Sequence, residues 1–301
     1  MVYITVPADI RGRFSLPFPT LDLSDFSLDA RKLSLFLSSV PSGSVVFETL
    51  KCGRGVCTNS TLPVLATFLQ RLKAEGERGA ARDENPTSLK SLVASKCGLE
   101  GATAAMFLFP SLPRSLESLE LGGNFLRSAS MTMFGSVLSA RWLPSLLSLD
   151  LSDNPLGPRG VEALATGLCT PLWSLNLART GAKEKGVEAL AEVLKEKKVS
   201  SLQSLDLTEN QMMAGGLKHL AAAVSTADAV PELRTLILKK NNLVAGATGR
   251  EYGPLSTLLS TNRLTELEVL DLSKNFFWGG AIEGVSAAAI TTVTAGRFPK
   301  L

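Results

Sequence analysis

The side chains able to do chemistry are few in this 301-residue chain. There is one histidine, His219, so a His–His metal site or a dyad built around a second histidine is excluded. Four cysteines, Cys52, Cys57, Cys97 and Cys169, form no CxxC pair and have no histidine cluster to complete a zinc set. The phosphate loop GxxxxGK[ST], the GxSxG elbow and HExxH are missing, and Gly122-Gly123 and Gly279-Gly280 are isolated turn glycines. His219 lies in Leu217-Lys218-His219-Leu220 and reads as an outer helix residue, not a general base. These residues predict a non-enzyme that needs no metal, cofactor or small-molecule substrate. Cysteines this sparse, most of them where an apolar residue belongs, predict free thiols in a reduced, intracellular and cytoplasmic protein.

The bulk composition agrees with a globular chain: 45% hydrophobic and 20% charged, with 31 Lys+Arg against 28 Asp+Glu. No apolar run approaches the roughly 20 residues of a membrane helix. Met1 to Phe18 is interrupted by Asp9, Arg11 and Arg13, so neither a secretory signal nor a membrane partner is expected. Lys183 to Lys198 is rich in lysine but alternates with Glu184, Glu188, Glu192 and Glu196, the pattern of a self-paired helix face. With a net charge of +3, nucleic acid is not an expected partner.

Leucine is the one large excess, 52 of 301 residues. Aligned on Leu-x-x-Leu-x-Leu-x-x-Asn-x-Leu, the chain matches strongly at Leu116, Leu146, Leu202, Leu233 and Leu267. Copies at Leu172 and Leu89 carry Thr180 and Cys97 in the Asn place, small residues suited to part of its work. Copies from Phe47 and Phe18 keep only the spacing. The nine starts lie 29, 42, 27, 30, 26, 30, 31 and 34 residues apart. Each copy opens with period-2 alternation, as in Leu149-Asp150-Leu151, and continues with helical spacing, as in Val161, Leu164, Ala165 and Leu168. Pro113, Pro144, Pro171 and Pro231 fall just before the next strand and stop the helix. One strand and one helix cannot bury their own apolar side, so the units must stack into a solenoid.

The phrase Ser145-Leu146-Leu147-Ser148-Leu149-Asp150-Leu151-Ser152-Asp153-Asn154-Pro155-Leu156, with its helix and its echoes, resembles the leucine-rich-repeat proteins of the long-repeat subclass typified by ribonuclease inhibitor. The resemblance covers residues 85–290 well and 16–75 weakly. It implies an α/β solenoid of about nine coils, a horseshoe with parallel strands inside and helices outside. The expected organisation is 1–84 as degenerate N-terminal repeats with a polar loop at 73–88, 85–290 as regular repeats, and 291–301 as a tail. Trp278-Gly279-Gly280 and Ala287 to Ala295 are expected to form a terminal capping coil.

Alternation places the residues between the leucines on the concave face. One column reads Lys51, Val93, Glu120, Asp150, Asn176, Asp206, Ile237 and Asp271, acidic in the middle. Two positions earlier it reads Thr49, Ser91, Ser118, Ser148, Ser174, Ser204, Thr235 and Val269. Three positions after the acidic column come Arg54, Lys96, Gly123, Asp153, Arg179, Glu209, Lys240 and Lys274, basic at both ends. Two accounts stay open: Glu120, Asp150 and Asp206 present charge to a basic or hydroxyl-rich partner, or Ser-Leu-Asp-Leu-Ser is how the family spells its strand. The candidate partner-binding set is Glu120, Asp150, Asn176, Asp206, Asp271, Trp173, Arg179, Lys240 and Lys274, with Phe125, Arg127, Pro155, Gln211, Asn242 and Phe276 on the rim. Trp142 and Trp278 read as packing or cap residues.

The expected function is a protein-interaction module whose partner contacts the concave face and adjoining rim loops. Alternatives are an architectural subunit of a large cytoskeletal or ribonucleoprotein assembly, and a GTPase-activating protein resembling the Ran regulator. The strongly acidic tail of that last branch is lacking here.

Overall fold

A strand with leucine at alternate positions buries one face, and a computed structural model shows what covers it. Residues 20–40, 47–80, 89–243 and 253–275 are described. Among them, nine short strands pair in chain order, all parallel, in one open sheet. They are β1 (Thr20–Leu23), β2 (Thr49–Cys52), β3 (Ser91–Val93), β4 (Ser118–Glu120), β5 (Ser148–Asp150), β6 (Ser174–Asn176), β7 (Ser204–Asp206), β8 (Thr235–Ile237) and β9 (Val269–Asp271). Their register puts Leu50, Leu92, Leu119, Leu149, Leu175, Leu205 and Leu236 in one buried row. The residues on either side of each leucine stay half-buried on the opposite face.

The return path of each coil is helical: α1 (Ala30–Ser39), α2 (Leu62–Ala80), α3 (Gly101–Thr103), α4 (Phe109–Ser111), α5 (Ser128–Ser139), α6 (Gly157–Gly167), α7 (Lys183–Lys195), α8 (Met213–Val224) and α9 (Gly253–Ser260). From α5 to α9 each helix packs on the next. Helices sit about 8–10 Å apart and strands about 4.8 Å, so stacking both bends the array into a horseshoe with the sheet inside. The α5–α6 contact is unusually close: a Cβ at Gly167 would lie 2.2 Å from the Gly135 carbonyl oxygen. Between α3 and α4 the helix widens into a π turn, Ala104–Leu108, and the Phe109 N–H donates to the Ala104 oxygen five residues back. Pro110 follows, with no N–H to donate and a ring that crowds a regular turn.

The asparagines tie coil to coil. Asn154 donates to the Leu121 oxygen of the preceding coil at 2.9 Å and to its own Leu151 oxygen at 3.0 Å, while its Oδ1 accepts the Leu126 N–H at 3.0 Å. Asn124, Asn210, Asn241 and Asn275 repeat the arrangement. The two substitutes behave as expected. The Thr180 hydroxyl lies 2.8 Å from the Leu177 oxygen and 2.9 Å from Asn210 Oδ1. The Cys97 thiol donates to the Cys52 oxygen of the preceding coil at 3.1 Å.

One expectation is corrected. The segment from Lys73 is not a loop: α2 runs unbroken to Ala80. Lys73, Ala74, Glu75, Glu77 and Arg78 are good helix formers, and buried Leu65, Phe68, Leu69 and Leu72 hold the preceding turns to the core. Arg71 anchors the helix by donating to the carbonyls of Leu37 (3.2 Å) and Val40 (3.0 Å). The rest of the expected loop (81–88), the coil start at Phe18, the capping coil and the tail lie outside the described residues. No described helix is long and apolar enough to cross a membrane.

Candidate interaction surface

Three rows of side chains cross the inner sheet, and register fixes who faces whom. In the acidic column Glu120 pairs with Asp150, Asp150 with Asn176, and Asn176 with Asp206. Ile237 then separates Asp206 from Asp271. Four predicted members are thus brought together and Asp271 stands apart. Each aspartate here also has a local task. Asp150 Oδ1 accepts the Ser152 N–H at 2.8 Å, Asp206 Oδ1 the Thr208 N–H at 2.8 Å, and Asp271 Oδ1 the Ser273 N–H at 2.8 Å. Asn176 does the same for Ala178 at 3.0 Å. These are Asx turns that end the strand, so one oxygen of each carboxylate is committed to the fold. The Ser273 hydroxyl and N–H together hold Asp271 below the usual carboxylate range.

The row at the C-terminal edge of the strands is largely self-satisfied. Asp153 takes both Nε and Nη2 of Arg179, which holds its carboxyl below the usual range. Lys240 donates to Glu209 at 2.9 Å and lowers that carboxyl too. Lys96, Asp153, Arg179, Glu209, Lys240 and Lys274 all adopt the left-handed conformation that glycine favours, as Gly123 does in the same row. Gly123 also leaves room for Lys96, whose Cγ would stand 2.7 Å from an added Cβ. Two predicted site residues, Arg179 and Lys240, are therefore bound into ion pairs of the fold, and Lys274 ends the row exposed.

The row at the N-terminal edge holds Trp173, which is 51% exposed. Its backbone N–H donates to the Leu147 oxygen at 2.7 Å, and its backbone carbonyl accepts the Gln203 N–H at 2.8 Å, so these three stand side by side on adjacent coils. Leu147 escaped notice in the sequence, although it occupies the column of Trp173, one place before the serine. Trp142 sits elsewhere, 42% exposed, with the Lys73 ammonium 4.6 Å from its ring centroid. Trp278 and Phe276 lie outside the described residues. On the outer side His219 faces Glu188 at 3.7 Å, and Lys195 and Lys198 pair with Glu192 and Glu196.

A leucine-rich-repeat family model matches residues 143–165, the coil spanning β5 and α6. Ribonuclease inhibitor of Mus musculus is 39% identical over 35% of this chain and 23% of its own length. Ribonuclease inhibitor of Sus scrofa is 29% identical over 65% of this chain and 41% of its own. NACHT, LRR and PYD domains-containing protein 12 of Mus musculus is 31% identical over 61% of this chain and 15% of its own. The coils of this chain are leucine-rich repeats similar to those of ribonuclease inhibitor. The chain spans less than half the length of each of these relatives.

Within that repeat the cysteines are a local variant. Cys52, Cys57 and Cys97 are free thiols buried together between coils 2 and 3, and Cys169 is a fourth free thiol, partly buried. The Cys52 thiol beside Cys57, and the Cys57 thiol beside Cys97, hold both groups above the ordinary thiol range, with burial adding to the effect. Thiols kept protonated are poor nucleophiles and poor metal ligands. They serve packing here.

Proposed function

We propose that this repeat array is a non-enzymatic protein–protein interaction module that holds a protein partner on its concave face and adjoining rim loops. The observation that carries the proposal is the inner face: from β3 to β8 every strand turns its leucine into the core and two half-buried side chains toward the concavity. Stacked repeats offer extended concave surfaces of this kind for binding. Nine strands, most of three residues and about 10 Å long, spaced about 4.8 Å apart, give a strip of roughly 400 Å². A standard interface takes about 800 Å² per partner, so rim residues such as Phe125, Pro155 and Gln211 must share the contact. The acidic middle column complements a basic partner surface.

The test removes charge without disturbing the turns. Asp150→Asn with Asp206→Asn keeps the Oδ1 acceptor, as Asn176 does naturally. After cross-linking of the full chain in its native extract, links from Lys90, Lys240 and Lys274 to one dominant protein, weakened in the double variant, support the reading. Links spread over the outer lysines of α7 to many subunits would replace it with the architectural role. Unchanged capture by the double variant would move the site off the column.

A further inference from the structure

The two edges of the inner face differ in what they leave unsatisfied. At the C-terminal edge, Asp153–Arg179 and Glu209–Lys240 neutralise each other. At the N-terminal edge, the outer positions are likewise paired, Glu48 with Lys90 at 3.0 Å and Arg234 with Glu268 at 2.8 Å. Between those pairs stand Glu117, Leu147, exposed Trp173 and Gln203, of which Leu147 and Trp173 are the two adjacent apolar positions of that row in the central coils. An apolar centre inside a polar rim is the usual anatomy of a binding hot spot.

Charge then says what would cover it. Glu120 and Asp150 sit directly opposite each other on β4 and β5, and like charges so placed repel. Neither is in an ion pair among the described residues, and Arg179, the cation of the neighbouring coil, is held at two points by Asp153. Between this pair and Trp173 lie Ser148 and Ser174, side chains too small to form a wall. From Trp173 to the column is three residues, about 10 Å along the strand. A long basic side chain whose stem rests on the indole brings its charge to the carboxylates.

We infer that the partner presents an arginine or lysine from an exposed protein segment, its stem lying on Trp173 and Leu147 and its charge turned toward Glu120 and Asp150. This rests on the concave-face reading and adds to it the chemistry of the occupant. A displayed library of random 12-residue peptides, selected on the full chain, tests it. The expected survivors carry Arg or Lys next to an apolar residue and bind less tightly as salt rises. Trp173→Ala weakens them about 30-fold, as for a hot-spot anchor. Trp173→Phe retains most of the affinity, and Glu120→Gln with Asp150→Asn weakens them about tenfold, the scale of one desolvated charge contact. Survivors that are acidic or uncharged, survivors indifferent to Trp173→Ala, or no enrichment would each overturn the inference. Cross-linking the survivors separates the two readings: uncharged binders on the inner strands sink this inference alone, whereas binders on the outer helices sink both.

Discussion

Coils 4 and 5 and coils 2 and 3 close the same turn by different means. In the first pair an amide does the work: Asn154 spans both coils with hydrogen bonds to Leu121, Leu151 and Leu126. In the second, Cys97 offers one weak donor to the Cys52 oxygen, and the preceding coil has Gly55 where the asparagine would stand. Between coils 1 and 2, close approach stands where the amide is missing. A Cβ at Gly53 would fall 2.0 Å from the Ser24 oxygen, and one at Gly55 2.5 Å from the Phe26 oxygen. The lesson is that a repeat position is defined by a demand on the backbone, which an amide, a thiol or the absence of a side chain can meet.

The largest loss of stability is expected when one amide of the ladder is removed. Asn154→Ala removes the amide's bonds to the buried Leu151 oxygen and Leu126 N–H, while the Leu121 oxygen keeps Asn124, and is expected to cost about 3–5 kcal/mol in urea unfolding. A loss under about 1 kcal/mol would show that the ladder is dispensable. A smaller effect of opposite sign sharpens the contrast. Cys97→Asn places the amide used by most coils beside Cys57, which is smaller than Leu99 at the same place in the following coil, so space is available. Stability is expected to rise by about 1 kcal/mol; a fall of that size would mean the thiol cluster is better packed than the amide it displaced. The smallest effect is electrostatic. Asp153 and Glu209 titrate below their ordinary values because of Arg179 and Lys240. Their contribution is complete above those ordinary values, near pH 4, and is lost as pH falls through the lowered ones. Both pairs are well exposed, so the loss is slight. Arg179→Gln should narrow the difference in melting temperature between pH 6 and pH 3; an unchanged difference would show that the pair contributes nothing.

The fold was legible because leucine spacing reports the one thing a stacked coil cannot do without, a buried row in register. The helix over Lys73–Ala80 was not, since charged helix formers with little apolar periodicity read as a loop until the packing of Leu69 and Leu72 is seen. The acidic column was visible in the sequence, yet its second task was missed. Asp150 and Asp206 each have Ser or Thr two residues on, the signature of an Asx turn. Arg179 was visible as a rim cation, but its partner Asp153 lies 26 residues earlier, and only stacking brings them together.

The strands keep step while the arcs between them do not. Ser148 to Ser174 is 26 residues and Thr49 to Ser91 is 42, yet hydroxyl still faces hydroxyl across each pair. Additions such as the π turn at Ala104–Leu108 are taken up on the outside. The inner face is thus a ruler of fixed graduation, about 4.8 Å per mark. Its outer casing can gain or lose whole residues, and what is written at each mark can change one side chain at a time without moving the next.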